Sequence, residues 1–176
     1  MVTYAGLVRG INVGKARRLA MADLRALVEA EGFTDPRTLL NSGNVVFTGA
    51  KQPLPRIAAR LEGGIEARVG FRPHVIVIDR AWVDAVMQEN PLTQADNPSR
   101  LLVAFVQDTE RLQSVRELAT RDWGPEAVAV GKRAAYLWMP EGILESRVLN
   151  EVGARLGTWT TTRNWATVEK LQALMR

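Results

Sequence analysis

The order in which the hydrophobic period changes along this chain constrains its fold more than any other feature. Tyr4–Arg9 is a short, nearly continuous apolar run, as in a strand buried on both faces. The helical period follows over Met21–Glu31, with Met21, Leu24, Leu27 and Val28 on one face and Gly32 as the stop. Arg37–Asn41 and Val45–Thr48 are two short strands joined through Ser42-Gly43-Asn44, a hairpin signal. Pro53 and Pro55 suit a helix start, and Leu54, Ile57, Ala58, Leu61 and Ile65 carry its period. Gly63 and Gly64 oppose this helix at about 1 kcal/mol each relative to alanine. His74–Ile78 is a strand again. Asp79 can cap a short helix through Trp82, Val83, Val86 and Met87, which Asn90-Pro91 ends.

Up to residue 79 the order is β-α-β-β-α-β, and after a polar, proline-containing stretch at Glu89–Arg100 it begins again. Leu101–Val106 is a strand, and Thr109 can cap a helix bearing Leu112, Val115 and Leu118. Ala127–Val130 and Ala134–Trp138 form a hairpin around Gly131-Lys132-Arg133. Ser146 precedes a helix with Val148, Leu149, Val152 and Leu156, stopped by Gly157. Thr158–Thr162 is β-prone, and Asn164 caps a last helix with Val168, Leu171 and Leu174 on one face. The expectation is an α+β protein of two ferredoxin-like (βαββαβ) subdomains with antiparallel sheets. Their predicted bounds are 1–88 and 101–176, the second with an extra C-terminal helix, joined by a linker over 89–100.

That topology has a consequence for two polar turns. In a ferredoxin-like sheet of order 4-1-3-2, the first and second strands end on the same side, where the hairpin turn also lies. Arg9-Gly10-Ile11-Asn12-Val13-Gly14-Lys15 and Asn41-Ser42-Gly43-Asn44 should therefore meet at one end of the sheet. Exposed turn amides beside arginine make an anion site plausible on chemical grounds. Gly-Asn pairs also close turns for purely local reasons, and asparagine amides satisfy loop backbone groups.

Charge points the same way. Of 23 basic residues 19 are arginine; residues 1–80 hold 12 basic and 7 acidic groups, residues 81–176 hold 11 and 12. Any attraction for anions should lie in the first half, although a net charge of +4 gives little warrant for nucleic acid.

Several chemistries are excluded or unsupported. The chain has no cysteine, so disulfides, thiolate nucleophiles and cysteine-ligated metals are excluded. A single histidine, His74, excludes a three-histidine zinc site within one chain, and no metal site or cofactor is expected. Gly10–Ala16 falls short of a P-loop, because three residues instead of four separate its glycines and Ala16 replaces the magnesium-binding hydroxyl. No G-x-G-x-x-G follows a strand, and Ser42-Gly43 lacks a base nearby in sequence. The strand around Val45-Val46-Phe47 has too few aromatics for RNA recognition on this fold. Trp159 and Trp165 flank Arg163-Asn164 and could stack a ring, but packing is the commoner role. No apolar run approaches the roughly 18 residues of a membrane span, and no signal peptide pattern opens the chain. A soluble, cytoplasmic protein is the expectation.

Taken together, Val8-Arg9-Gly10-Ile11-Asn12-Val13-Gly14, Met21-Ala22-Asp23-Leu24-Arg25, Ser42-Gly43-Asn44-Val45-Val46-Phe47 and Thr162-Arg163-Asn164-Trp165-Ala166-Thr167-Val168-Glu169-Lys170-Leu171 resemble the signature of the bacterial Domain of Unknown Function 1697 family. The resemblance runs over essentially the whole chain. It departs at Lys15-Ala16-Arg17-Arg18, a loop richer in arginine than is usual there. It implies two ferredoxin-like subdomains and no particular activity. It also marks Arg9, Gly10, Asn12, Ser42, Gly43, Asn44, Arg163, Asn164, Trp165 and Lys170 as signature positions.

Three functional classes remain open. The first is a binding module for a small anionic or phosphorylated ligand, or for nucleic acid, using Arg9, Asn12, Lys15, Asn41, Ser42, Asn44, Arg163 and Asn164. The second is a structural or protein-interaction module working through free strand edges. The third is an enzyme using Arg9, Lys15 or Arg163 for electrostatic stabilisation, with Asp23 and His74 as the available general bases.

Overall fold

Residues 1–176 are all described by the computed structural model, which contains two four-stranded antiparallel sheets. The first is built from β1 (Val2–Val8), β2 (Thr34–Leu39), β3 (Asn44–Gly49) and β4 (Val75–Asp79), with α1 (Met21–Ala30) and α2 (Leu54–Val69) as the connecting helices. Its order, β2-β3-β1-β4, is the expected ferredoxin-like order. Strand alternation puts Tyr4, Val8, Val45, Phe47, Val75 and Val77 on the face that meets Leu24, Leu27, Val28, Ile57, Leu61 and Ile65 of the helices. Burial of each such side chain contributes about 1.5–3 kcal/mol, which outweighs the glycine penalty inside α2. Gly64 also has a packing reason: a Cβ there would lie 3.2 Å from Leu27 Cδ1, so its absence lets α1 and α2 approach closely. Tyr4, Phe33 and Phe47 pack together in this core in edge-on and tilted arrangements, with ring centroids 4.8–6.4 Å apart.

Edge strand β2 is bulged between Thr34 and Arg37, holds Asp35 at φ +52° and contains Pro36. A bulge and a missing N–H both oppose pairing with another chain along this edge.

The second sheet comprises β5 (Leu101–Val106), β6 (Ala127–Val130), β7 (Ala134–Trp138) and β8 (Thr160–Asn164), in the order β6-β7-β5-β8. Between α3 (Arg80–Glu89) and the C-terminal α5 (Trp165–Leu174) lie α4 (Arg147–Leu156) and a 3-10 helix over Thr109–Thr120. The latter corrects two expectations. The segment is not α-helical, because Leu112, Val115 and Leu118 recur every third residue, which is the 3-10 period, and all three are buried. Its cap is Asp108 instead of Thr109, with the carboxylate accepting from Glu110 N at 3.0 Å. Ser146 does cap α4, accepting from Leu149 N at 3.1 Å, and Asn164 caps α5, accepting from Thr167 N at 2.9 Å.

Packing divides the chain into two compact units, Met1–Ala81 with Lys170–Arg176, and Trp82–Glu169. Most of α3 thus belongs with the second sheet, and the chain end belongs with the first. The 90–100 stretch is closed by Asn90, whose Oδ1 accepts from Leu92 N, and by Asn97, which accepts from Ser99 N, both at 3.0 Å. No helix is long and apolar enough to cross a membrane.

An ion-pair cluster ties α4 to the 3-10 helix. Arg155 approaches Glu117 at 2.5 Å, and Arg121 approaches it at 2.8 Å. The hydrogen bond and charge of Arg155, then the charge of Arg121, hold the Glu117 carboxyl below its ordinary value of 4.5. A depressed carboxylate stabilises the fold above its unfolded pKa and loses that contribution as pH falls through the folded pKa. Glu117→Gln should therefore lower Tm slightly at neutral pH and flatten its fall on the acid side. Thermal melts from about pH 6 to about pH 3 measure this, and the effect should be small because the pair is exposed.

Candidate functional site

At one end of the first sheet β1 and β2 finish while β3 and β4 begin, so three connections meet there: Arg9–Ala20, Leu40–Gly43 and Gly70–His74. The first is longer than topology requires. In the second unit the equivalent connection, from β5 to the 3-10 helix, is only Gln107-Asp108.

Asn12 organises this end. It sits at φ +57°, a left-handed conformation that asparagine tolerates. Its Nδ2 donates to Leu19 O and to Asn41 O, each at 2.8 Å, and its Oδ1 accepts from Leu19 N at 2.9 Å. Its own N–H donates to Arg17 O at 3.1 Å. The loop is thereby closed on itself and fastened to the hairpin turn. Buried Ile11 and Leu19 anchor it to the core beneath.

The hairpin turn is equally constrained. Asn44 is buried, and its Nδ2 donates to Leu39 O at 2.9 Å and Ser42 Oγ at 3.0 Å. Gly43 has φ +89°, and a Cβ there would lie 2.8 Å from both Ile11 Cδ1 and Val8 Cβ. Its carbonyl accepts from Val8 N at 2.9 Å. Asn41 and Ser42 are exposed beside it.

The third connection was not anticipated from the sequence, although antiparallel order alone places the start of β4 where β1 stops. Arg9 N donates to His74 O at 2.9 Å, and the Arg17 guanidinium lies 4.9 Å from the Phe71 ring centroid. Glu62 Oε1 lies 3.1 Å from His74 Nδ1 and accepts from Val75 N at 2.9 Å. Arg72 bridges Glu62 at 3.4 Å and Glu66 at 3.1 Å, while Arg68 pairs with Asp23 at 2.9 Å. Both candidate bases, Asp23 and His74, are thus held against neighbouring charged side chains.

The cations of the first connection differ from these. Lys15, Arg17 and Arg18 are exposed and Arg9 is half-buried, and none of the four has a carboxylate partner. Their charge is not compensated by a carboxylate, whereas the amides of Asn12 and Asn44 are engaged in holding backbone. Arg163 and Asn164 lie in the second unit. Arg163 is buried on β8, donating to Thr161 Oγ1 at 2.8 Å and Thr162 O at 2.9 Å, and burial lowers its pKa to about 10. It still carries its proton at neutral pH. Trp159 is half-exposed, with the Arg111 guanidinium 3.7 Å from its ring centroid.

Asn12→Gly retains the backbone conformation while removing three side-chain hydrogen bonds, and should cost about 1–3 kcal/mol in denaturant unfolding. Gly43→Ala should cost a similar amount, about 1–3 kcal/mol, by crowding Ile11 and Val8 and straining a left-handed position.

The same fold occurs in a solved structure, that of the conserved bacterial protein SP0830 from Streptococcus pneumoniae, which is similar over 99% of each chain with a TM-score of 0.78 at 21% identity. No curated protein matches the chain. The family model described as a protein of unknown function (DUF1697) matches residues 1–136, which include all three connections of the candidate site. The chain therefore belongs to the DUF1697 family.

Proposed function

We propose that the first unit binds a small anionic or phosphorylated ligand where the Arg9–Lys15 loop meets the Asn41–Asn44 turn. The observation that carries this reading is the set of four cations, Arg9, Lys15, Arg17 and Arg18, without carboxylate partners on a loop that Asn12 holds in place. Elsewhere in this unit Arg37, Arg60, Arg68 and Arg72 are ion-paired, while Lys51 and Arg56 are exposed without a carboxylate partner, so what sets the loop apart is four cations lacking such a partner on one connection. Arginine and backbone N–H groups together suit phosphate oxygens. The bulged, proline-containing edge β2 weighs against strand pairing as an alternative at that edge.

A thermal-shift screen with sugar phosphates and nucleotides tests the reading. A ligand at 100 times its Kd stabilises by about 2.7 kcal/mol. Arg9→Ala, and the combined Lys15→Ala, Arg17→Ala and Arg18→Ala protein, should melt near the wild-type temperature without ligand and lose most of the ligand-induced shift. Variants that respond like wild type would reject the site. Nucleic acid as the natural ligand would instead give a steep salt dependence, with a slope near −0.9 for each duplex phosphate contacted.

A further inference from the structure

We infer that the group held at this loop is a phosphate monoester bound without a metal ion. This rests on the anion reading above and adds the chemical class of the ligand. The first argument is the backbone. Gly10, Asn12 and Gly14 have φ of +65°, +57° and +65°, while Ile11 and Val13 between them have negative φ. Alternation of this kind turns successive N–H groups toward one side and forms a concavity for an oxyanion. The Asn12 N–H is taken by Arg17 O, but those of Val13, Gly14 and Lys15 have no protein acceptor. Three consecutive donors are therefore presented beside Lys15, Arg17 and Arg18. Because Asn12, Ile11 and Leu19 already fix the loop, the amides are ordered before a ligand arrives.

The second argument is charge. A monoester carries about −1.5 to −2 at neutral pH on three acceptor oxygens, which suits several N–H donors and several cations better than a carboxylate or a singly charged phosphodiester. The third is the chemistry missing around the loop. A P-loop holds magnesium with a hydroxyl after its lysine and a carboxylate from elsewhere. Here Ala16 follows Lys15, and the carboxylates at this end, Asp23, Glu62 and Glu66, face Arg68, Arg72 and His74. No cluster of three acidic or histidine side chains suited to a metal ion exists in the chain. A magnesium-chelated phosphate would bring positive charge into a loop that already carries four uncompensated cations.

NMR titration of the full-length 15N-labelled protein tests this directly. The probes are phenyl phosphate, benzoate, ATP, and an oligonucleotide lacking terminal phosphate, each with and without magnesium. Phenyl phosphate should shift the amides of Val13, Gly14 and Lys15, with an affinity that magnesium changes by less than about twofold, whereas saturating magnesium should weaken ATP by about threefold or more as its phosphate charge is neutralised. Gly14→Ala, which disfavours the left-handed backbone at φ +65°, should weaken phenyl phosphate by about fivefold or more while the protein stays folded. Tighter binding of ATP with magnesium at these amides would overturn the metal-free monoester and leave the anion site standing. Equal binding of benzoate or of the oligonucleotide would have the same consequence. If none of the four probes moves these amides, both inferences fail.

Discussion

The side-chain amide of Asn12 is the contact on which the candidate site depends. Two hydrogens of one NH2 group join Leu19 O at one end of a long loop to Asn41 O on a separate turn, and the paired oxygen closes the same loop through Leu19 N. No other residue type offers two donors and an acceptor on so short a side chain while tolerating positive φ. With Ile11 and Leu19 buried beneath it, the loop has an apolar floor and a polar clasp. Its cations are left on the outside. Holding those like charges close together has an electrostatic cost, which the clasp and the buried pair offset.

Gly43 is the complementary constraint. Ile11 and Val8 occupy the space that a side chain there would need, so the loop can lie on the hairpin turn only because the residue is glycine. Asn44 then holds the turn from inside, fully buried and bonded to Leu39 O. The conspicuous asparagines and glycines thus act mainly by giving the turns their shape. The groups left without a protein partner on the first connection are the backbone amides of Val13, Gly14 and Lys15 and the exposed cations around them.

Much of the fold was legible in the sequence, because period and turn chemistry agree along it. The hairpin through Ser42-Gly43-Asn44, the caps Ser146 and Asn164 and the stop at Gly157 are local signals, and local structure obeys them. The 3-10 helix is hard to tell from an α-helix in the sequence, because three apolar residues at every third position also fit part of an α-helical face; only their persistence over Leu112, Val115 and Leu118 separates the two periods. At the site, convergence of the two turns followed from strand order. The roles of Asn12 and Asn44 could not follow, since an asparagine amide can turn to backbone or to ligand and only tertiary placement decides. The Gly70–His74 connection was legible in principle from that same strand order, but it lacks the Gly-Asn signature that draws attention to the other two.

The first connection is longer than the strand order requires. Both sheets have the same strand order, yet a two-residue link serves between β5 and its helix where Arg9–Ala20 stands in the first unit. The hairpin turns differ in the same sense. Gly131-Lys132-Arg133 also carries cations, but Glu89 accepts from Lys132 N at 3.2 Å and pairs with Arg133 at 2.7 Å, so that turn is fastened with its charge partly compensated. In the first unit the fastening is done by a neutral amide instead. A carboxylate in the place of Asn12 would have neutralised the cations it gathers; an amide holds the loop and leaves their charge uncompensated, which is what an anion site requires.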